Sequence, residues 1–291
     1  MPKSKAPKLG AAKKLGNTRV TGKEQYYTPA ALAEGLLQEV LNLVPDLGSR
    51  TVLEPAGGTG SFINAAKKIG VNNFLSFDIE PKHDSVAQGN FLEAKITALD
   101  AVTISNPPFG RNNSLSIPFF NKAADHSEYI CFIVPRSWRK WSVINRLDQR
   151  FHLVADHDIQ IDYEDDLGEK LSKRSSLATC FQIWKRKETP RPKYSVADQG
   201  LIEKTDSEKA DVALTIFGFG CGKVLTDFER KPNSTRMYLK LHHPKALAAL
   251  QSVDYSKFYK NTAYTEALSF QEINYLLNES ILGNPHLVEK V

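Results

Sequence analysis

Val52-Leu53-Glu54-Pro55-Ala56-Gly57-Gly58-Thr59-Gly60-Ser61-Phe62 runs without a break from an apolar stretch of β character into one of helical character. Thr51–Leu53 reads as a strand and Ser61–Ile69 as a helix, so the glycines at 57, 58 and 60 fall in the turn between them. Glycine allows a tight turn there and lets a ligand approach backbone that a Cβ would shield. Many nucleotide-binding sheets carry such a turn, so Asp78 sharpens the reading. It lies twenty residues after Gly58, at the end of the next apolar run, Phe74–Asp78. An acidic side chain at that place can hold the two hydroxyls of a ribose.

Working outward, Leu32, Leu36, Leu37, Val40, Leu41 and Val44 recur at helical spacing, which predicts a helix over Pro29–Val44 with Thr28 as its cap. Downstream, Ala101–Ser105 and Tyr129–Val134 read as strands with a helix near Pro118–His126 between them. Arg139–Arg150 reads as a helix, and Leu153–Ile161 and Leu177–Trp184 as strands. Strands alternating with helices at this interval predict an α/β fold with right-handed crossovers and a mostly parallel sheet. Lys185–Ser195 is charged, holds two prolines and has no apolar period, and so reads as a linker. Beyond it, Val212–Phe219, Lys223–Phe228 and Arg236–Leu241 look like strands, with a tight turn at 220–222. Helices are expected at Pro244–Val253 and Ser269–Ser280. The expected division is a basic tail over 1–19, a main domain over 20–188 and a small module over 196–291.

Four segments carry a resemblance. In chain order they are Tyr26-Tyr27-Thr28-Pro29, the Leu53–Phe62 turn, Gln88-Gly89-Asn90-Phe91-Leu92, and Ser105-Asn106-Pro107-Pro108-Phe109. Together they resemble the class I S-adenosylmethionine-dependent methyltransferases, and most of all the gamma-class N6-adenine DNA methyltransferases. The resemblance implies a Rossmann-like, doubly wound, mostly parallel sheet followed by a small α+β recognition module. It implies S-adenosyl-L-methionine as cofactor, with Tyr27 and Thr28 over its methionine end. Glu54 and the backbone from Ala56 through Gly58 to Gly60 would surround its amino and carboxyl groups. Asp78 would take the ribose, while Ile79 and Phe91 would pack on the adenine ring. In the family an Asp contacts the exocyclic amine from the position that Asn90 holds here, so that contact must use an amide or be altered. Asn106 counts with both the cofactor-binding and the catalytic residues, beside Pro107, Pro108 and Phe109.

The residue types of the Asn106–Phe109 loop have a chemical reason. The amino nitrogen of adenine is a poor nucleophile because its lone pair is delocalised into the ring. The Asn106 side-chain oxygen and the Pro107 carbonyl, by accepting its two protons, would favour a tetrahedral nitrogen with a localised lone pair. That is positioning and electrostatic stabilisation, and it needs no strong base. Pro108 restricts Pro107 to extended geometry, and neither proline has an N–H to compete for the acceptors. Phe109 offers a ring for stacking on a base swung out of its helix. Tyr163 and Phe181 are candidates for a second aromatic wall, with Phe181 also readable as strand core.

Charge is unevenly spread. Residues 1–23 hold seven of the basic side chains and no acidic one, although the net charge is only +5. That tail reads either as a phosphate-attracting arm or as a solubilising extension. Arg136, Arg139, Lys140, Arg146 and Arg150 follow the Tyr129–Val134 strand against Asp148 alone, and read either as a phosphate-contacting surface or as a solvated helix face. Lys223, Arg236 and Lys240 stand in the later basic stretch. Arg136, Arg139, Lys140, Lys223, Arg236 and Lys240 are the candidate nucleic-acid contacts, with DNA ahead of RNA as the partner. His242 and His243 adjoin on a strand and point to opposite faces, so no metal site is expected. The spacing of Cys131, Cys180 and Cys221 suggests neither zinc nor a disulfide framework. No apolar run approaches the length of a membrane span, and the amino terminus lacks a signal-peptide core, so an intracellular protein is expected. Three other readings share these motifs: N6-adenine methylation of RNA, glutamine methylation of a protein, and an inactive methyltransferase-like binding subunit.

Overall fold

The computed structural model describes residues 26–165, 167–169 and 177–290. The basic tail and Lys23, Glu24 and Gln25 lie outside them. Seven strands form the main sheet: β1 (Thr51–Glu54), β2 (Asn73–Asp78), β3 (Ala87–Gln88), β4 (Ala101–Ser105), β5 (Ser127–Pro135), β6 (Phe151–Ile159) and β7 (Thr179–Arg186). Their order is β3-β2-β1-β4-β5-β7-β6. The pairs from β3 to β5 are parallel, while β7 runs antiparallel to both β5 and β6. The sheet is the expected Rossmann-like, doubly wound, mostly parallel one. Chain order reverses between β1 and β4, the switch point outside whose strand ends such sheets bind ligands.

Burial explains the central strands. All of β4 is buried, as is β5 apart from Glu128, and such strands read as continuous apolar runs. Alternate residues face alternate layers. Val52, Val102, Ile104, Cys131 and Ile133 pack under α1 (Ala30–Leu43) and α2 (Ser61–Lys68). Leu53, Ile130, Phe132 and Val134 pack under α3 (Ser116–Ala124) and Trp138.

The 139–150 segment differs from expectation. A 3-10 turn over Arg136–Arg139 is followed by a short helix, α4 (Trp141–Ile144), with Lys140 extended between them. Tertiary contacts override the helical pattern there. The Lys140 ammonium donates to the buried Glu272 carboxylate at 2.9 Å. The Trp141 ring packs against both Phe258 and Tyr275, with centroids 5.5 and 5.6 Å away. The stretch read as a linker is also tied down. Buried Arg191 donates to the Phe151 and Leu147 carbonyls and covers the Trp184 ring.

The C-terminal part adds β8 (Lys193–Val196), β9 (Ile202–Lys204), β10 (Val212–Thr215), β11 (Val224–Leu225), β12 (Arg236–Leu241) and β13 (Leu287–Lys290). Its antiparallel sheet runs β11-β10-β12-β9, and β13 pairs with β8. Helices α5 (Ala246–Ser252), α6 (Ser256–Tyr259) and α7 (Phe270–Leu282) surround a separate apolar core around Leu214, Leu239, Leu250 and Leu277. Ser269 and Glu272 form a capping box at the start of α7. The expected strand over Val212–Phe219 stops at Thr215, where a glycine-rich loop begins. Among the described residues no helix is long and apolar enough to cross a membrane.

Candidate active site

The turn after β1 and the loop after β4 stand side by side at the switch point. Gly58 and Gly60 hold φ of +49° and +75°, where an L side chain is strained. Space forbids one as well: a Cβ on Gly58 would lie 2.8 Å from the Tyr27 ring, and one on Gly60 2.5 Å from the His83 ring. The Gly58 N–H donates to one Asp78 oxygen at 2.9 Å and the Glu80 N–H to the other at 2.8 Å. Backbone donors thus fix the carboxylate while each oxygen keeps a lone pair for a ligand hydroxyl. Ile79 beside it is 59% exposed, as a flat-packing residue would be.

Glu54 is fully buried, with the Ser76 hydroxyl donating to it at 3.3 Å. Burial pushes its carboxyl well above the usual range, the Ser76 hydrogen bond offsets part of this, and the charge of Asp78 adds to it.

At the loop after β4, the Asn106 amide nitrogen donates to the Tyr26 carbonyl at 3.2 Å and to the Thr28 hydroxyl at 3.3 Å. A carbonyl only accepts, so the nitrogen faces Tyr26 and the side-chain oxygen faces elsewhere. The Ser61 hydroxyl donates to the Thr28 carbonyl at 2.7 Å, tying the same segment to α2. Thr28 therefore does not cap α1 as expected: Pro29 is the N-cap, without a side-chain hydrogen bond, and the Thr28 hydroxyl serves Asn106. Downstream, Asn112 and Asn113 both have φ near +55°, sparsely populated backbone held by Asn113 donating to Ser137 and Arg146 to the Asn112 carbonyl.

Several predicted residues stand elsewhere than expected. The Asn90 oxygen accepts from the Leu92 N–H and its amide donates to Glu93, so the side chain closes its own turn. Phe91 is enclosed by Phe77, Phe119 and Lys122. Phe109 is 8% exposed and packs with the layer under α1 and α2. Phe181 is fully buried on β7 and takes the core alternative. Tyr163 is 2% exposed and packs on Tyr26 at 5.2 Å. It adjoins Asn106, and burial pushes its phenol upward. Reading by sequence missed His83, which covers Gly60 and meets Asn64 at 3.2 Å; nothing in its spacing marks it.

The basic cluster after β5 is engaged internally. Arg136 pairs with Asp158, Arg139 with Asp156 and Asp158, and Lys140 with Glu272. Each of these three cations is thus paired with a carboxylate that lies outside the basic segment itself. Lys223 and Lys240 are exposed and Arg236 half-buried, with no ion pair at any of the three among the described residues. His242 meets Glu203, and no metal-ligand cluster occurs among the described residues. A surface cleft of about 600 Å³ lies far from the chemistry. Lined by Asp125, Asp148 and Arg150, it borders the residues that lead into β5 and β6, away from the strand ends where ligands bind.

No family model matches the chain, and no curated protein does. Solved structures similar to part of it include a provisionally described RNA methyltransferase from Pyrococcus horikoshii, 21% identical, covering 62% of this chain and 94% of that one at a TM-score of 0.46. Another is the modification subunit of a provisionally described type I restriction enzyme from Vibrio vulnificus. It is 14% identical, covering 62% of this chain and 49% of that one at a TM-score of 0.42. A third is a provisionally described class I S-adenosylmethionine-dependent methyltransferase from Listeria monocytogenes. It is 14% identical, covering 56% and 61% at a TM-score of 0.39. Likeness at this level assigns neither activity nor partner to this chain.

Proposed function

We propose that this chain transfers a methyl group from S-adenosyl-L-methionine to the N6 amino group of adenine in DNA. The observation that carries the reading is the fixed amide of Asn106. With its nitrogen committed to Tyr26 and Thr28, its oxygen is left to accept a proton from a planar amino group beside the Pro107 carbonyl. The cofactor supplies an electrophilic methyl group. Asp78 holds its ribose, the Ala56–Gly60 backbone and Glu54 its amino-acid end, and the exposed face of Ile79 its purine. Thr28 is a positioning residue, acting through Asn106. The residues present fit this cofactor: Asp78 is oriented with acceptor capacity to spare, beside a turn whose Gly58 and Gly60 hold positive φ.

Residues 196–291 act as the recognition module for nucleic acid, and Lys223, Arg236 and Lys240 meet its phosphates. The test is methyl transfer from tritiated S-adenosylmethionine to DNA duplexes, single-stranded DNA, RNA and protein in parallel. Label on N6 of adenine in DNA is expected. Label in RNA alone moves the substrate to RNA, and label on glutamine replaces nucleic acid by protein. No label anywhere, with cofactor bound, leaves a binding subunit.

A further inference from the structure

Between β10 and β11 the chain reads Phe217-Gly218-Phe219-Gly220-Cys221-Gly222. Phe219 is fully exposed and Phe217 about half exposed. A large apolar ring held in water has no stabilising role in the fold, and this one stands on a built loop. Gly218, Gly220 and Gly222 all have φ between +79° and +93°. The Gly218 N–H donates to the Glu266 carbonyl at 2.9 Å, Phe217 bridges to Ala267, and the Gly222 N–H donates to the Thr215 carbonyl at 2.8 Å. A Cβ on Gly222 would meet the Tyr255 ring at 2.8 Å. The backbone thus sets where Phe219 stands.

That loop is tied by backbone hydrogen bonds to the edge of the main sheet on which Asn106 stands. The segment 263–267 that clamps this loop also gives the Ala263 carbonyl to the Ala178 N–H at 2.8 Å. The Ala178 carbonyl in turn accepts from the Arg136 N–H at 3.0 Å, just past the carboxyl end of β5. Tyr264 in the same segment is half exposed and lies within electrostatic range of Tyr163, which adjoins Asn106. Charge at the loop's base favours a polyanion. Lys223 is exposed, its carbonyl accepting from the Thr215 N–H, and Arg236 pairs with Thr215 across β10 and β12. Glu266 and the ion pair of Glu272 with Lys140 lie near Cys221 in the same loop.

Resting on the methyltransferase reading above, we propose that Phe219 is a stacking platform for nucleic acid. Its ring enters the base stack next to the adenine delivered to Asn106, while Lys223 and Arg236 meet the flanking phosphates. An aromatic face is sequence-tolerant, since every base has one, and the ring offsets part of the cost of unstacking the target.

The test uses the full chain and a fluorescein-labelled, adenine-containing DNA oligonucleotide followed by anisotropy. Phe219→Ala should raise Kd about 5- to 100-fold, with the melting temperature and S-adenosylmethionine affinity unchanged. The salt slope should be unaltered, because no charge is lost, whereas Lys223→Ala should reduce it by about one. Phe219→Trp should bind within about threefold of the wild type, and its added emission should be quenched by the oligonucleotide. Wild-type affinity in Phe219→Ala, or unquenched emission in Phe219→Trp at saturation, overturns the stacking role and leaves the methyltransferase reading intact. Loss of self-association in sedimentation by Phe219→Ala, at unchanged oligonucleotide affinity, also overturns it and makes the loop a contact between copies. A wild-type chain that binds no nucleic acid and labels only protein overturns this proposal and that reading together.

Discussion

Asp78 ends β2 and Arg139 lies in the turn after β5, both near the carboxyl edge of the main sheet, yet they are held in opposite ways. Asp78 is fixed by the N–H groups of Gly58 and Glu80, and its oxygens keep acceptor capacity. Arg139 spends its guanidinium on two carboxylates of β6, Asp156 and Asp158. Arg136 likewise faces Asp158, and Lys140 faces Glu272. A charge oriented by backbone dipoles stays available to a ligand, whereas a charge oriented by an opposite charge is already used. The first region keeps a charge open to a ligand, whereas the second ties the turn after β5 to β6 and, through Lys140, to the C-terminal part.

The sharpest way to break this contrast is to remove a charge from the fastening region. Glu272 is 3% exposed and is both the capping residue of α7 and the partner of Lys140. Lys140→Ala leaves that carboxylate buried and unpaired, so it should cost about 3–5 kcal/mol in denaturant unfolding. Adding Glu272→Gln, which keeps a capping side chain without the charge, should recover much of the loss. A Lys140→Ala loss below about 1 kcal/mol would mean that the pair is solvated and that Lys140 is free to meet a phosphate after all.

In the binding region the largest effect belongs to Asn106. Asn106→Ala removes the acceptor for an amino proton and should slow single-turnover methyl transfer by two or more orders of magnitude, about 2.7–4 kcal/mol. Cofactor affinity should fall far less than the rate, because the turn and Asp78 are untouched even though Asn106 also holds the Tyr26–Thr28 segment. A wild-type rate in this variant would make the loop structural. Asp78→Ala should show the reverse pattern, weakening S-adenosylmethionine binding by about 1–3 kcal/mol in calorimetry with the fold intact. Unchanged affinity would remove Asp78 from the ribose site.

The same contrast explains what was legible before the structure. Gly58, Gly60 and Asp78 could be read because backbone conformation and strand order are local or nearly so. Strand β4 and its Asn106–Phe109 loop were legible for the same reason. The fate of Arg139 and Lys140 was not, since their partners lie 17 and 132 residues further along the chain. Thr28 carries both a helix-cap signal and the hydroxyl that Asn106 needs, and only the three-dimensional fit chooses between them. Phe91 and Phe181 look alike as ligand wall or as core until their neighbours are known. The loop bearing Phe219 read as more strand followed by a tight turn, because apolar residues beside glycines do not say which way a ring will face.

The smallest expected effect sharpens the comparison inside the binding region itself, where Glu54 has neither the backbone donors of Asp78 nor the opposite charge of Arg139. Burial, and to a lesser degree the neighbouring Asp78, raise its carboxyl pKa in the folded chain above the ordinary 4.5. The native state therefore holds the Glu54 proton more tightly than the unfolded chain does. Linkage then gives the sign: this stabilising contribution is complete below the unfolded pKa and is lost as pH rises through the folded one. Glu54→Gln carries the neutral form at every pH and escapes that loss. In the absence of cofactor its melting temperature should match the wild type near pH 4 and exceed it at pH 8. With S-adenosylmethionine the order should invert at pH 8, because a bound amino group would give the Glu54 carboxylate the counter-charge that Gln cannot use. A melting difference that is constant across pH, or that favours the wild type without cofactor, would show that the folded protein already compensates this charge and that Glu54 is not waiting for a cation.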